Sequence, residues 1–138
     1  MTAETDRLRQ PPTERFAGTE HVFDLPAVAA GLRDEAHLPT DGHRQVTLFH
    51  RDGLGLIAFD FEPGGRLADH SADAFVTILA LTGALAVSTP SGTHHLPAGS
   101  LLVLDPGVVH DVFALEASQM LLVVNRQSPA DHAPPGGR

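Results

Sequence analysis

The chain contains no cysteine, no lysine, no tyrosine and no tryptophan. Without cysteine there is no disulfide, no thiolate metal site and no thiol nucleophile, and the redox compartment is left unmarked. Without lysine there is no Schiff-base amine and no phosphate-loop ammonium. Without tyrosine or tryptophan there is neither a phenolic acid nor an indole stacking platform. Serine and threonine are present, but no Gly-x-Ser-x-Gly elbow exposes one as a nucleophile. Ionisable chemistry falls to nine histidines, seventeen carboxylates and nine arginines. A basic stripe is missing as well: the formal net charge is −8, which disfavours nucleic acid as a partner. No apolar run reaches the length of a membrane span, so no membrane partner is expected. Met1 to Asp6 is acidic rather than signal-peptide-like, and the expectation is a cytoplasmic protein.

With 138 residues, one domain is the natural reading. The sequence divides into a polar, flexible arm over 1–19, a patterned domain over 20–127 and a flexible Pro/Gly-rich tail over 128–138. Within the domain, His21-Val22-Phe23-Asp24 is read as a short strand. Asp24 then caps a helix over 25–36, with Leu25, Val28, Ala29, Leu32 and Ala36 at helical spacing. From residue 44 the period becomes two. Val46 and Leu48 alternate with Thr47 and Phe49, and Asp52-Gly53 turns the chain into a second strand over 54–61. Further strands are expected at 74–81 and 84–89, paired as a hairpin around Thr82-Gly83, and at 93–96, 100–104, 108–114 and 119–125. About nine short strands separated by Gly/Pro turns predict an all-β sandwich or barrel. Residues 75–81 are apolar on both alternating faces, so their outer face needs cover from the N-terminal segment or from a second subunit; a homodimer is expected.

Two stretches combine a glycine turn, a short β-type run and a histidine. One spans Pro63-Gly64 through His70 to Gly83; the other spans Gly99 through Pro106-Gly107 to His110. Together they resemble the two motifs of the small single-domain cupins, over roughly residues 42–125. The resemblance implies an RmlC-like jelly-roll β-barrel, here with a short N-terminal helix. In that family two histidines one residue apart, a glutamate and the second-motif histidine bind a divalent metal. This chain matches with His70 and His110. The other two positions fall on Ala72 and Val76, so the metal motif is incomplete.

The two retained histidines leave three readings open. A further residue supplies a third ligand, with His50, Asp69, His95, Asp105 and Asp111 as candidates, and iron, manganese, zinc, nickel or copper is bound. Strand alternation speaks against Asp69 and Asp111, which neighbour the two histidines and point the other way. Alternatively His70 and His110 face the cavity without metal and bond an organic ligand, against an apolar lining of Val76, Ile78, Ala80 and Val112, with Arg44 or Arg66 as carboxylate forks. Or both are structural remnants. The leading expectation is a module that binds a small molecule near His70 and His110. Its rival is a metal-dependent oxygenase or isomerase using the same pair. The His94-His95 pair reads as a solvated turn edge, since adjacent strand residues point to opposite faces.

Overall fold

The computed structural model describes residues 18–126, the side chains of Asp69 and His70 excepted. The expected arm and tail therefore lie almost wholly outside the described residues. Among the described residues one helix, α1 (Leu25–Arg33), precedes nine strands. These are β1 (His43–Arg51), β2 (Leu54–Phe61), β3 (Arg66–His70), β4 (Phe75–Thr82), β5 (Ala84–Thr89), β6 (Gly92–Pro97), β7 (Leu101–Leu104), β8 (His110–Ala114) and β9 (Ser118–Asn125). They form two antiparallel sheets, ordered β1-β2-β9-β4-β7 and β3-β8-β5-β6. Alternating side chains from both sheets meet in one core that includes Phe61, Ile78, Leu85, Val112 and Met120. The fold is all-β, as the turn spacing implied, and its two sheets form the jelly roll that the motif resemblance implied.

Helix α1 starts where its cap dictates. The Asp24 carboxylate accepts the Ala27 backbone N–H at 3.1 Å, and proline follows within the first turn. It ends at Arg33 rather than running to residue 36. Asp34 takes over as C-cap, and the Glu35 N–H turns back to the Leu32 carbonyl at 3.2 Å, a tighter i→i−3 bond. Val28 and Leu32 pack on Val46, Leu48 and Ala58, so the helix covers the outer face of the larger sheet at its β1–β2 side. Arg33 fixes this docking through a 2.8 Å bond to the buried Asp60 carboxylate. That bond, and then the charge of Asp60, raises the pKa of the guanidinium.

Two local expectations are corrected. Residues 21–24 form no strand; His21 instead packs edge-on against Phe49, with ring centroids 4.8 Å apart. Strands β4 and β5 form no hairpin. At Gly83 the chain leaves the five-stranded sheet, where β4 lies between β9 and β7, and enters the four-stranded one, where β5 lies between β8 and β6. A glycine turn between two apolar runs signals a reversal but not which neighbours the second run will pair with. The Asp52-Gly53 hairpin does form, with both residues at positive φ.

Among the described residues, the outer face of the larger sheet is only partly covered. Beyond the reach of α1, Leu101 and Val103 on edge strand β7 are 58% and 53% exposed, beside a partly exposed Phe75.

Candidate functional site

Cross-strand register sorts the inner face of the larger sheet into rows. Phe59 and Met120 face each other with Ala80 beyond, and Phe61 stacks on Phe59 at 5.8 Å; this end of the barrel is filled. Toward the β1–β2 hairpin the side chains shrink. Gly55 faces Val124, which faces Val76. A row built from glycine and two valines cannot fill the space that phenylalanine and methionine fill below it. The result is a cavity of about 330 Å³ that opens at this end.

Its apolar wall is made by Ile57, Phe59, Leu67, Ala72, Val76, Leu122 and Val124; its polar groups are Gln45, His50, Ser71, His110 and Arg126. His110, 3% exposed, opens β8. Its Nδ1–H donates to the Val108 carbonyl at 3.1 Å, so in the neutral ring Nε2 carries the lone pair. The β3–β8 register sets His70 directly opposite His110 in the backbone ladder, after an irregularity between Leu67 and His70. Gln45 is held from behind. His43 packs against both Phe59 and Phe61, donates from Nδ1 to the Arg66 carbonyl at 2.9 Å, and has Nε2 3.2 Å from the Gln45 side-chain oxygen.

His50 reaches the cavity because β1 carries a bulge. Gln45 and Thr47 pair with the inward residues Phe59 and Ile57, so strict alternation would send Phe49 inward next. The register shifts between Thr47 and Phe49 instead. Leu48 packs under α1, Phe49 pairs with the outward Leu56, and His50 pairs with Gly55. The extra residue thus exchanges a phenyl ring for an imidazole at the mouth of the cavity. The simple alternation expected for residues 46–49 breaks at this point.

Of the expected site residues, His110 and Val76 line the cavity. Ile78 and Val112 do not: each lies one row deeper and is fully enclosed in packed core, as is Ala80. Arg44 does not either. It sits on β1 between the inward-facing His43 and Gln45, and its Nε and Nη2 donate to the His37 carbonyl at 3.2 and 2.9 Å. Arg66 pairs with Asp111 at 2.8 Å, on the outer side of β3 and β8. Among the proposed third ligands, His50 lines the cavity, whereas His95 and Asp105 are exposed. The sequence reading passed over Gln45, Ser71 and Arg126. Gln45 could have been found from its in-phase position two residues after His43. Arg126 carried no local signal, because it follows the last strand.

The described donors do not form the metal site that the motif resemblance implied. Ala72 and Val76 put a methyl and an isopropyl group into the cavity where the motif has imidazole and carboxylate. Among the described residues no three His, Cys, Asp or Glu side chains stand together closely enough to share an ion.

No protein-family model matches the sequence, and no curated protein matches it significantly. Solved structures do match. A conserved Streptococcus pyogenes protein of unknown function is 28% identical, with a TM-score of 0.64 over 82% of this chain and 95% of that one. A cupin superfamily protein from Desulfitobacterium hafniense superposes with a TM-score of 0.64 at 14% identity, over 80% and 94% of the two chains. The fold is a cupin jelly roll. A sugar phosphate isomerase of the cupin superfamily from Silicibacter pomeroyi superposes with a TM-score of 0.56 at 17% identity, over 67% and 68%. Cupin architecture therefore accounts for the two sheets and the position of the cavity. It does not choose a chemistry, because one barrel supports many. No helix among the described residues is long and apolar enough to cross a membrane.

Proposed function

We propose that this cupin binds a small organic molecule in the open end of its barrel, beside His110 and the paired backbone position of His70. The observation that carries the reading is the cavity itself. Its volume of about 330 Å³ and its mainly apolar wall with a few convergent polar groups are the usual make-up of a small-molecule site. A thermal-shift screen against a diverse metabolite library tests it. A ligand at about a hundred times its Kd stabilises by about 2.7 kcal/mol, a rise of roughly 10 °C for a domain of this size. Val76→Phe, which fills the cavity, is expected to abolish that rise while leaving the protein folded. A screen without a single stabilising compound, or a Val76→Phe protein that still responds, would count against the site.

The second reading is a metal-dependent oxygenase or isomerase with His70, His110 and a third ligand. Its support is that His50 lines the same cavity as His110. Near-stoichiometric metal in protein never exposed to a nickel column, lost in a His70→Ala/His110→Ala double variant, would put this reading first.

We also infer that the protein is a homodimer, joined through the outer face around Phe75, Leu101 and Val103, which the other described residues leave exposed. An apolar patch on an edge strand is unfavourable in water and is ordinarily covered. Sedimentation is expected to give a dimer at micromolar concentration, and Leu101→Asp/Val103→Asp a folded monomer. A monomeric wild type would end this inference.

A further inference from the structure

The cavity mouth is electrostatically unlike the rest of the molecule. The chain carries a formal net charge of −8, yet none of the described residues that line the cavity is an aspartate or glutamate. Among the described residues, the ionisable groups that line it are His50, His110 and Arg126. Arg126 also differs from the other described arginines. Arg33 bonds Asp60, Arg66 bonds Asp111, Arg44 bonds the His37 carbonyl and Arg51 bonds the Gly18 carbonyl. The Arg126 guanidinium has no such partner among the described residues, and neither has the His50 imidazole.

Both groups are placed by the fold rather than left on a loose end. The Arg126 N–H donates to the Gly53 carbonyl at 2.7 Å, which ties the residue to the β1–β2 turn. A Cβ at Gly53 would come within 2.6 Å of the Arg126 carbonyl oxygen, so the two backbones are in close contact. The β1 bulge aims His50 at the same opening, and Gly55, facing it, adds no side chain to obstruct it.

Resting on the cavity-binding reading above, we propose that the ligand is a small carboxylate with an apolar body. Its carboxylate lies at the mouth on Arg126 and His50, and its body enters the chamber walled by Ile57, Val76 and Leu122. A guanidinium presents a planar fork that matches two carboxylate oxygens, and the imidazole adds a further donor. At the mouth the carboxylate keeps part of its hydration, so its desolvation cost stays small. A cationic head group would meet an arginine and find no acid among the described residues that line the site.

The test is calorimetric titration with matched acid, primary amide and primary amine triads on straight-chain, branched and aromatic bodies, such as hexanoate, hexanamide and hexylamine. The acid of at least one triad is expected to bind about tenfold or more tighter than its amide, with the amine weakest. Arg126→Gln should bring that acid down to the level of its amide and leave the amide unchanged, and His50→Gln should do so in part. If an amide binds as tightly as its acid, or if Arg126→Gln leaves the preference intact, the charge assignment fails while the cavity-binding reading stands. If no triad binds at all, by heat or by NMR shift perturbation, both fail.

Discussion

Replacing Gly83 by alanine is expected to destabilise the protein by about 2–5 kcal/mol, from positive-φ strain together with overpacking. Gly83 sits at φ +78°, where a side chain is strained whatever the space around it. Space is missing too. A Cβ there would overlap the Ala117 carbonyl oxygen and the Ser118 hydroxyl. Neither neighbour can retreat without cost. Ser118 is fully buried; its Oγ accepts the Ala84 N–H at 3.1 Å and donates to the Glu116 carbonyl at 2.8 Å. Moving that hydroxyl would break both bonds and take from the Ala84 N–H the side-chain partner it has here. The corner also carries the chain from one sheet to the other, and the Gly83 carbonyl accepts the Ala98 N–H at 3.1 Å. Urea denaturation should show a lower midpoint with an unchanged slope, the signature of lost stability rather than a changed unfolded state. A loss below about 1 kcal/mol would mean that the corner relaxes freely and that this account of the motif glycine is wrong.

The second large effect is a gain. Ala72 and Val76 both line the cavity with His110. They also occupy the positions where the cupin motif has its second histidine and its glutamate. The double substitution Ala72→His/Val76→Glu is therefore expected to complete a four-residue donor set with His70 and His110. It adds an imidazole and, more important, a carboxylate whose charge offsets the desolvation of a dication. Affinity for zinc, iron or manganese should move from millimolar or weaker to micromolar or tighter, a gain of about 4 kcal/mol. Elemental analysis and zinc titration of the wild type beside the variant provide the check. Equal metal in both proteins would show that the native residues already suffice, which would favour the enzymatic reading. No metal in a folded variant would show that the cavity walls, and not only the missing donors, exclude the ion.

These two expectations differ in where their information came from. Gly83 stood out in the sequence as a turn glycine after an apolar run, but the reason it must be glycine is Ser118, thirty-five residues on and packed against it. Ala72 and Val76 were legible as departures from the motif, and the structure then set both on the cavity wall. His110, read from the same motifs, lines the cavity with them. Ile78 and Val112 were placed on the correct inner face but at the wrong depth. Strand alternation says which way a side chain points, not which row of the barrel is hollow. That depends on Gly55 meeting Val124 and Val76 across strands far apart in sequence.

Taken alone, the sequence determined the elements whose causes are local. The Asp24 cap begins the helix, Asp52-Gly53 makes the hairpin, and Gly/Pro turns separate short runs of period two into the strands of a β-barrel. Each of these acts over a few residues through backbone angles and neighbouring hydrogen bonds, so a local pattern is enough to read them. The tertiary structure decided which sheet β5 joins, that a one-residue bulge turns His50 rather than Phe49 inward, and that Arg126 stands at the mouth of the barrel. Those outcomes are set by pairing register and by the combined volume of distant side chains, and no short window of sequence contains either.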